Sequence, residues 1–348
     1  MNKRLLAVLM AMILVCLCAC ANPAPAATQT PDATQTSAAT QTPDATAAAS
    51  QEPEQTAEQE PEQTAAAVSE EKTLTDRNGD TLTVPSEMTR IVSLAPAATE
   101  ILFGLGQGSV IVGADTYAAD IEGIDAAICV FDAYAVDSES ILALEPDLVI
   151  TSGMSTTGAA DDPMAALRTA GVAVSYLPTS ESIEAIYEDI RFLAELTGAQ
   201  EEGEAMIKQM QETIAQYQAI GETITEKKTV LFEISASPYI YSFGSGTFLD
   251  ELLTVIGAEN AVTEIEGWTS LSDEAAVALN PDVILTNVNY TPDPVGEILA
   301  LPAFASVQAV QDQAVYAIDA NASSRPTQNI LKALEQMAVA VYPEYYAE

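Results

Sequence analysis

The stretch "ESILALEPDLVITSG" (residues 139–153) has a close echo later in the chain, "EAAVALNPDVILTN" (residues 274–287). When Glu139 is set on Glu274, at an offset of 274 − 139 = 135 residues, the pattern Ala-Leu-x-Pro-Asp aligns without a gap. Each copy begins with an acid and an apolar stretch of helical spacing. A strand follows the proline, because proline disfavours helix at the residue before it. The repeat predicts two related helix-to-strand units in one chain.

A second pair of similar segments supports a duplication: "EILFGLG" begins at Glu100 and "ELLTVIG" begins at Glu251. Between the two halves, residues 182–220 have helical spacing almost throughout, with an interruption at Gly198. On both sides short apolar strands alternate with helices, which is typical of parallel sheets covered by helices. We therefore predict the α/β class, with two similar lobes joined by one long helix.

The predicted organisation divides the chain into six segments. They are a signal peptide (1–19), a disordered low-complexity tether (20–72), a β-hairpin around Asn78-Gly79 (73–89), an amino-terminal α/β lobe (90–181), a helical linker that includes the backbone helix (182–222) and a carboxyl-terminal α/β lobe (223–348). The tether is rich in Thr, Pro, Gln, Ala and Glu, a composition that buries too little apolar surface to fold.

The amino terminus predicts export. Lys3 and Arg4 precede an apolar run and a small-residue exit, which is the pattern of a signal peptide and not of a lasting membrane span. The exit Leu17-Cys18-Ala19-Cys20 resembles a bacterial lipobox, which implies cleavage before Cys20 and lipidation of its thiol. The expected location is extracytoplasmic, lipid-anchored to the bacterial cell membrane. The alternative is an ordinary signal peptide whose cysteines carry no function.

The composition excludes several kinds of site. The chain has no histidine, which removes Ser-His-Asp and Cys-His nucleophile systems and imidazole metal ligation. Cys129 is the one cysteine outside the export segment, so no internal disulfide is expected, and its apolar neighbours predict a buried position. After residue 72, 42 acids stand against nine bases. The resulting charge near −33 repels nucleic acid and anionic lipid headgroups and leaves few cations for a strongly anionic ligand.

Aromatic residues gather where the predicted strands end. The aromatic residues are Tyr117 and Tyr134 in the first half and Tyr241, Phe243, Trp268 and Tyr290 in the second. Met154 occupies a similar place in the first half. Since ligands of parallel α/β sheets bind beyond the carboxyl ends of the strands, we interpret these residues as the lining of a ligand cleft. Aromatic faces with a few polar groups suit a large, flat, partly apolar ligand. The alternative for any one of them is a place in the core or in loop packing.

Three features together resemble a known family. They are "RIVSLAPAATEILFGLG" (90–106), the two glutamate-led segments, and "IDANASSRPTQNILKALEQMA" (318–338). In this order and spacing they resemble the iron-chelate and vitamin B12 class of ABC-importer substrate-binding proteins. The resemblance implies two Rossmann-like lobes with parallel sheets, joined by one long backbone helix, with the ligand cleft between the lobes. It also implies a binding protein without catalysis or a resident cofactor, whose partners are an ABC permease dimer with its ATPase and a small metal chelate.

The resemblance assigns roles to particular residues. Glu139 and Glu274 match acids that pair with arginines of the permease; the alternative is that each merely favours the first turn of its helix. Trp268 lies six residues before Glu274, as a ligand-contacting tryptophan does in vitamin B12 binders, whereas Ala133 stands at the matching place in the first half, next to Tyr134. Arg325, in the segment "SSRP", matches an arginine near the ligand.

Several ligands fit these residues. Cobalamin or a related corrinoid is the leading one, and a neutral ferric hydroxamate siderophore or haem held by tyrosine or methionine is the alternative. Trianionic ferric catecholates need several cations, and Arg325 is the one good cleft cation in the sequence. A sensor that reports the ligand without importing it stays open. A carboxylate-based hydrolase, the alternative from another class, would need two acids that converge in one cleft.

Overall fold

The computed structural model describes residues 70–121, 123–125, 128–156 and 162–347. The predicted signal peptide, the predicted lipidation site Cys20 and all but the last three residues of the predicted tether lie outside these described residues. Among the described residues, no helix is both long and apolar enough to cross a membrane.

The described chain starts with a two-stranded hairpin. Strands β1 (Glu71–Thr75) and β2 (Thr81–Pro85) pair antiparallel, and Gly79 in the connection has the positive φ that glycine readily adopts. The hairpin thus begins at Glu71, two residues before residue 73, where the sequence predicted that the tether ends and the hairpin starts. The reason is tertiary: the Lys72 ammonium group donates to the carbonyl oxygens of Glu195 and Leu196, at the end of a helix far along the chain.

The amino-terminal lobe is built on a five-stranded parallel sheet. Its strands are β3 (Ile91–Ser93), β4 (Ile111–Asp115), β5 (Cys129–Phe131), β6 (Leu148–Thr151) and β7 (Ala173–Tyr176), in the order β5-β4-β3-β6-β7. Its helices are α1 (Pro96–Gly104), α2 (Ser138–Leu142), α3 (Gly153–Thr156) and α4 (Ala165–Thr169). The central strands β3 and β6 are buried throughout, as parallel strands covered on both faces must be.

Two helices then lead to the second lobe. Helix α5 (Ile183–Thr197) begins at Ser182, whose hydroxyl accepts a hydrogen bond from the Ala185 N–H, and it ends at Gly198 in the left-handed conformation. Helix α6 (Gln200–Gly221) has 22 residues, which corresponds to a length of about 33 Å. The predicted long backbone helix and its break at Gly198 are present.

The carboxyl-terminal lobe contains a four-stranded parallel sheet of order β10-β8-β12-β13 and an antiparallel pair, β9 with β11. The strands are β8 (Thr229–Glu233), β9 (Tyr239–Phe243), β10 (Glu259–Asn260), β11 (Trp268–Ser272), β12 (Val283–Thr286) and β13 (Val315–Ala317). The helices are α7 (Phe248–Val255), α8 (Asp273–Leu279), α9 (Pro294–Ala300), α10 (Gln308–Gln311), α11 (Ala320–Ser324), α12 (Ile330–Val341) and α13 (Pro343–Tyr346).

The repeated Pro-Asp element has a structural role in both lobes. In the first copy, Asp147 Oδ2 accepts hydrogen bonds from the N–H and hydroxyl of Thr89 and from the Arg90 N–H, at 2.8–2.9 Å. In the second copy, Asp282 Oδ2 accepts from the N–H and hydroxyl of Thr229, at 2.8 and 2.9 Å. Each aspartate therefore ties the start of its own strand to the start of the neighbouring central strand.

A continuous cluster of buried apolar side chains runs through both lobes and the linker helices, with members such as Ile101, Leu193, Ile207 and Leu252. Both lobes are thus packed against the same helices. Cys129 does not belong to this core: it is exposed, so the predicted buried position is wrong. It lies on β5, the edge strand of the first sheet, where one side lacks a neighbouring strand.

Candidate ligand-binding cleft

A cavity of about 550 Å³ lies where the carboxyl ends of the two parallel sheets face each other. Its lining residues come from the segments that follow all five strands of the first sheet and strands β8, β12 and β13 of the second. Loops that follow parallel strands carry the binding groups in many α/β folds. The volume falls within the roughly 300–1,000 Å³ that is usual for small-molecule sites.

Five of the predicted ligand-binding residues line this cavity: Tyr117, Tyr134, Met154, Tyr290 and Arg325. Tyr117 and Tyr134 meet edge to face, with ring centroids 6.5 Å apart, and are 58% and 54% exposed. Tyr290 is also exposed, and its hydroxyl oxygen accepts a hydrogen bond from the Ala236 N–H. These side chains offer aromatic faces that a ligand can cover; their part in binding stays a prediction.

The other three predicted residues, Trp268, Tyr241 and Phe243, lie outside the lining of this cavity. The placement of Phe243 in the cleft is wrong, because its ring is fully buried. Trp268 stacks on Tyr241, with centroids 6.2 Å apart, and its Nε1 donates to the Glu181 carboxylate at 2.8 Å. The sequence suggested loops here, but residues 239–243 form strand β9 against β11, so alternate rings of the two strands pack on one face.

Arg325 lines the cavity, but its charge is already paired. The residue is only 8% exposed, and its guanidinium group lies 2.8 Å from Asp120 Oδ1 and 3.6 Å from Glu100 Oε1. It also donates to the Tyr117 carbonyl oxygen. The arginine lies in the cleft wall, as expected, and its part in ligand binding stays a prediction. Partial burial alone would raise the pKa of Asp120, but hydrogen bonds from Arg325 and Asn321 outweigh it and hold that pKa below its ordinary value.

Sequence reasoning missed the acids that hold Arg325. Glu100 is buried, and its second carboxylate oxygen accepts a hydrogen bond from the Thr327 hydroxyl at 2.8 Å. A signal existed for this residue, since Glu100 opens the segment that is echoed at Glu251. For Asp120 the local sequence carried none, because its partners Asn321 and Arg325 lie more than 200 residues away.

One carboxylate stands among the described residues that line the cavity. Asp189, on α5, is buried, and it accepts hydrogen bonds from Arg77 Nε at 2.7 Å and from the Ser180 hydroxyl. Burial raises the pKa of Asp189 above its ordinary value, although both hydrogen bonds act in the opposite direction. The group is fixed by its partners and is a structural part of the cavity wall.

The predicted docking acids lie on the surface and outside the cavity lining. Glu139 and Glu274 are exposed and each is the second residue of its helix, α2 or α8. The Asp137 carboxylate caps α2 and the Ser272 hydroxyl caps α8. Hydrogen bonds from its own N–H and from Ser272 lower the pKa of Glu274, which keeps this carboxylate ionised. The docking role stays a prediction.

Within the described part of the chain, no group of three or more Cys, Asp or Glu side chains has the arrangement to hold a metal ion.

Comparison with known proteins decides the family. The model of the family described as periplasmic binding protein matches residues 91–322. The chain belongs to that family. It is 32% identical over 281 residues to an uncharacterized ABC transporter substrate-binding lipoprotein, YvrC, of Bacillus subtilis, covering 79% of this chain and 87% of that protein. It is 25% identical to a cobalamin-binding protein of Halobacterium salinarum, covering 77% and 73% of the two chains.

Solved structures agree with the fold. The haem-binding protein RhuT of Roseiflexus sp. RS-1, in its apo form, superposes with a TM-score of 0.64 at 28% identity, covering 74% of this chain and 98% of that one. The sequence-based recognition of the family and the two-lobed α/β prediction are confirmed. This periplasmic binding protein is thus the substrate-binding component of an ABC transporter, which implies a permease and ATPase as partners and a small ligand.

Proposed function

We propose that this protein is a lipid-anchored extracytoplasmic receptor that captures a corrinoid, cobalamin or a close relative, and delivers it to the permease of an ABC importer. The observation that carries the proposal is the cavity at the facing strand ends, with Tyr117, Tyr134 and Tyr290 exposed in its wall. Aromatic faces suit a large, flat ligand. Relatives named as cobalamin-binding and vitamin B12-binding proteins support the choice of a corrinoid.

Haem is the second candidate, on one specific observation. Exposed tyrosine side chains and Met154 line the cavity, and both residue types serve as haem-iron ligands where histidine is absent. RhuT, at 28% identity, is named as a haem-binding protein. A neutral ferric hydroxamate remains the third ligand class to test, since it needs no free cation in the cleft.

A catalytic role has less support. A carboxylate-based hydrolase needs two acids that converge on the substrate with separated pKa values. Among the described residues of the cavity wall Asp189 is the one carboxylate, and Arg77 and Ser180 hold it in place. The relatives compared above are named for binding and transport.

The ligand is tested by titration of the purified full-length protein with cyanocobalamin, haemin and ferrichrome, each followed by calorimetry. The proposal predicts saturable 1:1 binding of cyanocobalamin that is tighter than binding of the other two. Trp268, the single tryptophan of the chain, offers an independent fluorescence signal. Failure of cyanocobalamin to bind, with saturable binding of haemin or ferrichrome, would overturn the corrinoid assignment and leave the transporter family unaffected.

The anchor is tested separately through Cys20. The Cys20→Ala variant is expected to lose its lipid mass and to leave the membrane fraction when cells are fractionated. An unchanged lipid mass in this variant would contradict lipidation at Cys20.

Uptake of labelled cyanocobalamin by cells with and without the gene separates an importer from a sensor, because loss of a sensor changes signalling and leaves uptake intact.

A further inference from the structure

The contacts of Arg325 join the two lobes at the edge of the cleft. Arg325 follows helix α11 of the carboxyl-terminal lobe, whereas Asp120 follows β4 and Glu100 lies on α1, both in the amino-terminal lobe. Two carboxylates thus face one guanidinium group, at 2.8 and 3.6 Å. The local charge is negative and not positive, although the cleft wall contains an arginine.

The remaining wall offers no replacement for this positive charge. Among the described residues that line the cavity, Arg325 is the one cation, and Asp189 is paired with Arg77 from outside the lining. Asp120 is hydrogen-bonded to both Arg325 and Asn321, so two donors from the other lobe hold its carboxylate beside the guanidinium group. An anionic ligand group at Arg325 would therefore lie close to this carboxylate and be repelled by it.

We propose that Asp120 and Glu100 are specificity-determining residues: they occupy the guanidinium group of Arg325 from the opposite lobe and thereby keep anionic ligands out of the cleft. The inference rests on the proposed function, because it names the charge class of the ligand that the same cleft accepts. The favoured ligands carry no anionic group at the Arg325 edge, and amide or hydroxyl groups of a neutral chelate meet this requirement.

The exclusion of anions follows from the burial of Arg325 together with its carboxylate partner Glu100. A buried guanidinium group that lost its carboxylate partners would bind an incoming anion strongly, because charge-assisted hydrogen bonds replace lost solvation. With the partners present, an anion that approaches Arg325 is repelled by the negative charges of Asp120 and Glu100, which lie 2.8 and 3.6 Å from the guanidinium group. Since the pKa of Asp120 lies below its ordinary value, the carboxylate stays charged at neutral and mildly acidic pH, and the exclusion holds there.

The test uses Asp120→Asn in the full-length protein, because asparagine keeps the shape and removes the charge. The control variant is Glu184→Gln, which removes one charge from the exposed ion pair with Arg191. The first probe is inorganic phosphate, titrated by calorimetry at low ionic strength. Wild type and the Glu184→Gln variant are expected to bind it no tighter than roughly 10 mM, and Asp120→Asn at least about tenfold tighter. Adding Arg325→Gln to Asp120→Asn should abolish the gain.

The second probe is a matched pair of corrinoids: cyanocobalamin and its monocarboxylic acid, in which one side-chain amide is hydrolysed. Asp120→Asn should raise the affinity ratio of the acid over the amide at least about tenfold, and Glu184→Gln should leave that ratio unchanged. If neither corrinoid binds, the corrinoid assignment fails, and the phosphate arm still decides the present inference. No gain of phosphate affinity in Asp120→Asn, or a gain that persists without Arg325, would overturn it.

Discussion

The two copies of the repeated segment agree at one end and differ at the other. At the agreeing end, Glu145 and Asn280 occupy matching places before the proline and adopt φ of 46° and 45°. Asn280 is the left-handed residue at which α8 ends, whereas α2 ends at Ala143, two residues before Glu145. The following aspartates, Asp147 and Asp282, both accept hydrogen bonds from the N–H and hydroxyl of a threonine at the start of the neighbouring central strand, and Asp147 also accepts one from the Arg90 N–H. The backbone turn is therefore duplicated even where the residue type differs.

At the other end, toward the cleft, the two copies place their aromatic residues differently. In the first lobe Ala133 is buried and Tyr134 projects into the cavity wall. In the second lobe the matching Trp268 lies outside the cavity lining, over Tyr241 and beside Phe248, with its Nε1 hydrogen-bonded to Glu181. The comparison indicates that the two copies place an exposed acid alike at their helix starts, whereas they place their aromatic residues differently toward the cleft.

The largest expected effect concerns the symmetric end. Reversing both exposed acids, Glu139→Arg with Glu274→Arg, should abolish ligand uptake, because each lobe would then repel the arginine that it is expected to meet on the permease. Ligand affinity of the purified variant should stay unchanged, since neither side chain lines the cavity. Uptake in proteoliposomes and calorimetry on the same preparation check both statements. Loss of ligand binding would instead move these acids into the binding site.

The next largest effect is a pH dependence of stability that comes from a buried glutamate in the second lobe, at a position where the first lobe has a leucine. By strand register, Glu233 in β8 stands where the first lobe has the buried Leu94. Burial, together with the charges of Asp273 and Glu297, raises the pKa of Glu233 to about 7, against a hydrogen bond from Thr286. The folded protein therefore holds a proton there that the unfolded chain releases between pH 4.5 and 7, and stability falls as pH rises through this window.

The Glu233→Gln variant has no ionisable group at this position, so it avoids the free-energy cost of a buried carboxylate charge above pH 7. At pH 8 the variant should be more stable than wild type by about 2–3 kcal/mol, and its stability should be flatter between pH 5 and 8. Urea unfolding at several pH values measures both quantities. An unchanged pH slope in the variant would mean that Glu233 is ionised at little cost in the folded protein.

A smaller effect compares the two aspartates of the repeat. Asp147→Ala leaves two backbone N–H groups without an acceptor and Asp282→Ala leaves one, and each change should cost about 2 kcal/mol in the free energy of unfolding. If the copies are equivalent, the two losses agree within about 0.5 kcal/mol. Urea unfolding of both variants checks this, and a loss confined to one lobe would show that the duplication is one of sequence pattern and not of energetics.

Sequence reasoning succeeded where the determining contacts are local or repeated. The Pro-Asp turns, the helical segment that Gly198 divides into α5 and α6, and the tyrosines that follow first-lobe strands all depend on residues close in the chain. It failed for Phe243, because the pairing of β9 with β11 sets which rings are buried. It placed Arg325 in the cleft but missed its partners Asp120 and Glu100, which lie 205 and 225 residues earlier, so their meeting depends on how the lobes pack.

The most direct test of a cleft between the lobes is the affinity of Tyr134→Ala for cyanocobalamin, with Tyr345→Ala as the matched control. Tyr345 is an exposed tyrosine on α13 that does not line the cavity. Removing the Tyr134 ring should weaken binding about tenfold, which corresponds to about 1.4 kcal/mol of aromatic contact with the ligand, and Tyr345→Ala should bind as wild type does. Equal affinities for all three proteins would contradict the account, because the ligand would then bind outside the cavity that Tyr134 lines.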